Sequence, residues 1–123
     1  MTLFPGTPYD YSRSAGELVF TAGACPLDAS GGTVAPGDFA AQADRTAENL
    51  LAALAIEGVT ADDLLKTTVY VVSSRRSDLV DVWNVVAGHL GRAPSTLVGV
   101  SMLGYADQLV EIEAIARRRP GRP

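Results

Sequence analysis

The alternation over Leu109–Ala116 constrains this chain more than any other feature. Val110, Ile112, Ala114 and Ala116 form an unbroken apolar row at every second residue, the pattern of a β-strand with one face on a core. Leu109, Glu111, Glu113 and Ile115 then fall on the opposite face. Strand residues i and i+2 are about 7 Å apart, so the two carboxylates project side by side. Their neighbours on that face are apolar, which is not the make-up of an ordinary wet surface. A carboxylate in such a place is costly unless paired, so Glu111 is the first candidate for chemistry. Glu113 reads as a structural anchor.

Upstream, Thr96–Met102 alternates too. Thr96, Val98, Val100 and Met102 share one face, and Ser95, Leu97, Gly99 and Ser101 the other. The loop Leu103–Gln108 joins these two strands. Earlier in the chain, Tyr9–Ser12 and Glu17–Ala22 are short strands joined by a hairpin at Ser14–Gly16. Ala24–Pro36 is rich in Gly, Pro, Asp and Ser and reads as loop, with a short strand at Thr33–Val34.

Asp38 caps the clearest helix, in which Phe39, Ala43, Thr46, Leu50 and Leu54 make the apolar stripe. Gln42, Asp44, Arg45 and Glu48 lie opposite, and Gly58 is the expected C′ residue. Thr60–Asp63 resembles a capping box opening a short turn. Lys66–Val72 is strongly β. Ser77 is the expected cap of a second helix with Leu79, Val82, Trp83, Val86 and Leu90 inward, ending near Gly91. The order β-β-(β)-α-β-α-β-β predicts an α+β fold, one mixed sheet with two helices.

Two helices cover one face of such a sheet. The other face would carry Leu97, Leu109, Ile115 and one row each from Lys66–Val72 and Glu17–Ala22. Leaving that surface wet is unfavourable at roughly 25 cal/mol per Å², so a further subunit is expected to cover it, with ligand sites between subunits.

The 123 residues make one domain, 1–123, long enough for a core without metal or disulfide staples. The single cysteine, Cys25, excludes an internal disulfide, and a cytoplasmic location is the default. The first residues, MTLFPGTPYDYSR, lack the basic start and apolar core of a signal peptide, and no apolar run suits a membrane span. A net charge of −4 argues against a nucleic-acid groove. The basic cluster Arg117–Arg119 with Arg122 reads as a solvated end. One His and one Cys give no metal-ligand cluster, so no metal is expected.

Taken in order, several segments resemble the Rid family, the reactive intermediate/imine deaminases or YjgF-like proteins. They are Pro8-Tyr9, Leu18–Gly23 with Pro26, Gly37-Asp38-Phe39 with Gln42, Asn49-Leu50, and Asp63 with Lys66–Val71. Ser95–Val100 and Val110–Ala114 complete the set. The resemblance implies a chorismate-mutase-like fold assembled as a homotrimer, sheets inward, with three small-molecule clefts between subunits. It implies hydrolysis of 2-imino or enamine acids to 2-oxo acids and ammonia without a cofactor. The glutamate that attends the attacking water carries over to Glu111, and the site-lining tyrosine to Tyr9.

The arginine that clamps the substrate carboxylate in the family does not carry over. Ser95 stands there, and a hydroxyl does not replace a planar, charged, bidentate donor. Arg92 lies three residues earlier, about 10 Å away along an extended strand and on its other face. Ser95 and Thr96 are expected to offer neutral hydrogen bonds to a ligand, Cys25 to lie near the site as a packed thiol, and Tyr105 to overhang it. His89 reads as a capping or surface residue. The leading expectation is water addition to a C=N or enamine centre; the alternative is a ligand-binding or interaction protein on the same trimer. A ribonuclease or translation inhibitor, descriptions some family members carry, fits the acidic charge and the lone histidine poorly.

Overall fold

The computed structural model describes residues 2–120. A five-stranded sheet has the order β1-β2-β5-β3-β4. Its strands are β1 (Ser12–Ala15), β2 (Leu18–Thr21), β3 (Leu64–Val72), β4 (Ser95–Val100) and β5 (Val110–Arg117). Helix α1 (Phe39–Ile56) precedes β3, and α2 (Arg76–Leu90) makes the crossover between β3 and β4. That crossover allows β3 and β4 to pair in parallel, while the other ladders are antiparallel. The sheet is therefore mixed, as the element order predicts.

The alternation of β5 falls as its sequence dictates: Val110, Ile112, Ala114 and Ala116 are buried. They pack with Val69 and Val71 of β3, Ala43, Leu50 and Leu54 of α1, and Val82, Val86 and Leu90 of α2 in one core. Asp38 caps α1 by accepting from Ala41 N–H at 2.9 Å, and Gly58 follows the helix at φ +72°. The Asp63 carboxylate accepts from Thr60 N–H at 2.9 Å, closing the turn before β3.

Several elements depart from expectation. β1 is Ser12–Ala15 rather than Tyr9–Ser12, because Gly16, at φ +60°, places the tight turn two residues later. Thr33 makes only an isolated bridge to Leu27. β4 begins at Ser95 and stops at Val100, leaving Met102 outside and 77% exposed. Arg75, not Ser77, occupies the N-cap of α2, and the hydroxyl that accepts from Arg75 N–H belongs to Ser73. Leu97 and Leu109 pack against the helix-side core, not on the open face. For Leu97 the cause is register: it pairs with the buried Val69.

The basic C-terminal residues are engaged rather than simply solvated. Arg117 pairs with Glu17 at 2.9 Å, Arg119 with Asp63 at 3.1 Å, and Arg118 donates to the Glu57 carbonyl at 2.6 Å. Arg122 lies outside the described residues.

The largest departure concerns α1. Gln42, expected on the polar face, is fully buried. Its carboxamide accepts from Leu109 N–H at 2.8 Å and donates to the Asp107 carbonyl at 2.9 Å. Two turns on, Asn49 donates to the carbonyls of Cys25 and Leu27 at 2.8 and 2.9 Å. Gln42→Ala should lower stability by about 2 kcal/mol, since Leu109 N–H loses its acceptor in the interior. A urea midpoint unchanged from wild type would show that the bond is dispensable.

Candidate functional site

Glu111 sits at the start of β5, opposite Tyr70 of β3. On its other side the chain after β2 comes alongside through a two-way bridge. Ala24 N–H donates to the Ile112 carbonyl at 2.7 Å, and Ile112 N–H to the Ala24 carbonyl at 3.1 Å. This places Gly23 directly against the Glu111 side chain: a Cβ on residue 23 would collide with the carboxylate. Glycine is needed here for close approach, not for an unusual φ.

Two donors converge on one carboxylate oxygen. The Cys25 thiol donates to Glu111 Oε1 at 3.4 Å, and Gln108 Nε2 donates to the same oxygen at 3.1 Å. Gln108 also donates to the Val110 carbonyl at 3.0 Å, and its own Oε1 accepts from Tyr105 N–H at 3.1 Å. The Tyr105 hydroxyl meets that of Tyr9 at 3.0 Å. The Tyr9 ring stands edge-on to Tyr11, centroids 6.3 Å apart, while the Tyr11 hydroxyl is tied to the Phe4 carbonyl at 2.6 Å.

Burial pushes the Cys25 thiol up to about 12, and the adjoining Glu111 carboxylate adds to the shift. Burial also raises Tyr9, helped by its bond to Tyr105, and burial raises Tyr11. Thiol and phenols are thus protonated, neutral groups near pH 7. Cys25 is a packed thiol, as expected, rather than a reactive one.

Of the six residues singled out from sequence, the fold gathers Glu111, Cys25, Tyr9 and Tyr105. It does not bring Ser95 or Thr96 to them within one chain. Ser95 pairs with Thr67, and Tyr70 with Glu111, so the two rows are three residues apart along β3, roughly 10 Å. The Ser95 hydroxyl accepts from Thr67 Oγ1 at 2.7 Å. Thr96 accepts from Lys66 Nζ at 2.6 Å. Arg92 is exposed ahead of β4, farther still from the Glu111 row.

Glu113 accepts from the Tyr70 hydroxyl at 2.6 Å, a bond that, with burial, pushes that phenol up to about 12. It lines a cavity of about 210 Å³ with Phe20, Lys66, Thr68 and Ile115, and Glu111 is not part of that lining. His89 joins the two helices, its Nε2 lying 2.7 Å from Asp44 Oδ1. Among the described residues no three His, Cys, Asp or Glu are grouped to hold a metal ion, and no helix is long and apolar enough to cross a membrane.

The sequence reading missed Gln108 and the steric role of Gly23. Gln108 lies in a loop, where periodicity carries no information, and its burial arises only from the way the loop folds back onto β5. Gly23 was visible only as part of a run.

A mixed sheet backed by two helices, with a glutamate held at the start of its central antiparallel strand, defines a small α+β protein of YjgF type. The family model described as endoribonuclease L-PSP matches residues 2–118, and the chain belongs to that family, the YjgF-like or Rid proteins. It is 34% identical over 113 residues to a RutC family protein of Pyrococcus horikoshii, covering 91% of this chain and 88% of that one. It is 37% identical over 120 residues to the 2-iminobutanoate/2-iminopropanoate deaminase of Salmonella typhimurium, with the same coverage of both chains. The crystal structure of the Escherichia coli YjgF gene product superimposes with a TM-score of 0.81 at 30% identity, over 96% of this chain and 94% of that one. Escherichia coli TdcF, solved with bound serine, gives a TM-score of 0.81 at 28% identity, with the same coverage.

Because the Glu111 charge helps hold the Cys25 thiol protonated, Glu111→Gln should lower the thiol pKa and raise its thiolate fraction at a fixed pH. Iodoacetamide alkylation at pH 8.5 should therefore run severalfold faster in the variant. Equal rates would show that Glu111 does not act on Cys25.

Proposed function

We propose that this chain hydrolyses a small imine or enamine to a carbonyl compound and ammonia, with Glu111 directing the water. What carries the reading is a half-buried carboxylate fixed by two neutral donors, within a cluster of tyrosines, in a chain 35–37% identical to 2-iminobutanoate/2-iminopropanoate deaminases. Glu111 takes a proton from water as the oxygen bonds to the C=N carbon. The π pair moves to nitrogen, which receives the proton. The carbinolamine hydroxyl then gives its proton to nitrogen by way of Glu111, the C=O forms as the C–N bond breaks and ammonia leaves. An enamine enters the same path after protonation at its β-carbon, so one water is consumed and no oxidant is required. Tyr9 and Tyr105 supply a pair of hydroxyls alongside.

The substrate in this reading depends less on a carboxylate clamp than family substrates do, because the register position of the clamp is Ser95 and its hydroxyl is occupied by Thr67. That same occupancy favours a second reading, a non-catalytic ligand-binding protein on the same scaffold. A nuclease reading has no comparable support in the cluster.

The working unit in both readings is a trimer with its open sheet faces turned inward and a cleft between neighbouring copies. Its support is the apolar exposure on that face, where Leu18 and Phe20 are 40% and 43% exposed beside Ile115. Phe20→Asp should convert a trimer to monomer in sedimentation velocity, and a wild-type monomer at micromolar concentration would overturn the assembly.

Ammonia release from 2-iminopropionate generated in situ, with a neutral imine as second substrate, tests the activity. Wild type should exceed the uncatalysed rate, and Glu111→Gln should lower kcat/KM by about 100-fold or more. No wild-type rate above background on either substrate removes the hydrolase reading and leaves the binding protein.

A further inference from the structure

We infer that Gln108 is the positioning residue of the site, dividing the labour between the two oxygens of Glu111 and coupling that carboxylate to the tyrosine pair. The inference rests on Glu111 being the group that acts, as proposed above, but its geometry stands independently.

The two oxygens of Glu111 have different surroundings. Oε1 accepts from both Gln108 Nε2 and the Cys25 thiol. Oε2 lies against Gly23, and no hydrogen bond among the described residues reaches it. A carboxylate oxygen with two donors has its lone pairs occupied and is the weaker base of the two. Oε2 is the one left to take a proton from water. Gly23 makes room for that oxygen, since any Cβ there would drive the carboxylate out of place.

Of the two donors to Oε1, Gln108 is the one that is itself held. It is 4% exposed, and its three hydrogen bonds fix the amide plane: Nε2 to Glu111 and to the Val110 carbonyl, Oε1 from Tyr105 N–H. These bonds also settle which end of the amide is nitrogen, because a flipped amide would set oxygen against both a carbonyl and a carboxylate. The Cys25 thiol is shared with the Gly23 carbonyl at 3.3 Å and is a weak donor in any case.

Gln108 is also the link to the rest of the cluster. Its Oε1 holds the backbone of Tyr105, whose hydroxyl meets Tyr9. Carboxylate, amide and loop backbone are therefore linked by hydrogen bonds, and Tyr105 itself joins them to the phenol pair, so a shift in the 103–108 loop is felt at Glu111.

Two substitutions separate positioning from packing. Gln108→Glu keeps shape and the acceptor for Tyr105 N–H but replaces the amide donor with a second carboxyl that must share a proton with Glu111; Gln108→Met keeps volume and removes both donor and acceptor. The first readout is the Glu111 carboxylate stretch, isolated by infrared difference between carbon-13 glutamate-labelled protein and its Glu111→Gln counterpart in each background. It needs no turnover. Both variants should shift that band, and both should lower kcat on the imine substrate at least tenfold while KM changes less than threefold. If wild type shows no turnover, the infrared band alone decides the placement, and only the hydrolase reading falls. A folded variant, judged by its circular dichroism and thermal midpoint, whose Glu111 band stays at the wild-type position overturns the role of Gln108. A shifted band with kcat unchanged overturns its bearing on the reaction.

Discussion

Two carboxamides on one side of α1 hold the site together. Gln42 clasps the loop before β5 through Asp107 and Leu109, and Asn49 clasps the loop after β2 through Cys25 and Leu27. Neither loop has a ladder of its own to satisfy its backbone, and an unpaired buried peptide group costs on the order of 1–3 kcal/mol. The helix answers that need with side chains that both donate and accept, which no apolar or charged residue could do in the same space. Asn49 achieves this incompletely: its Oδ1 is buried without a partner. The position is kept for the two carbonyls it binds, not for a saturated amide.

From those clasps the geometry of Glu111 follows. Once Cys25 is tied to α1, Ala24 can bridge Ile112, and Gly23 is brought against the glutamate. Once Leu109 is tied, Gln108 is set at the edge of β5 with its amide turned toward the same carboxylate. The core is ordinary apolar packing, but the site is fixed by polar bonds running from helix to loop.

Elements with a strong period were legible from sequence: β3, β5 and both helices, because alternation or a 3.6-residue stripe is imposed directly by burial. The place of Glu111 opposite the core row of β5 was legible too, but not its flank, since Leu109 leaves that face. What failed has a common physical origin. Gln42 reads as a solvent-facing residue by polarity, yet it is buried, because hydrogen bonding to distant backbone offsets its desolvation. Leu97 faces the core because facing depends on strand pairing, which alternation alone leaves open by one residue, and Leu109 because it precedes β5 and gives its N–H to Gln42. β1 slipped for a similar reason, since the turn residue rather than the apolar pattern set its register. Gln108 carried no local signal at all: its role exists only once two segments have met.

The electrostatics of the cluster reduce to one anion among neutral donors. The Cys25 thiol, raised to about 12, and the raised Tyr9 and Tyr11 phenols keep their protons through the physiological range, so each offers a dipole and none adds charge. The same shifts say that a second negative charge placed among these side chains meets both desolvation and the field of Glu111. Arg13, Arg117, Arg118 and Arg119 pair elsewhere, with Asp10, Glu17, Glu57 and Asp63, and Lys66 donates to Thr96. Such a cluster fixes orientation and leaves the charge unbalanced. One oxygen of its carboxylate accepts from two donors and the other lies against Gly23, and the amide that makes the distinction is held in plane by the backbone of its own loop.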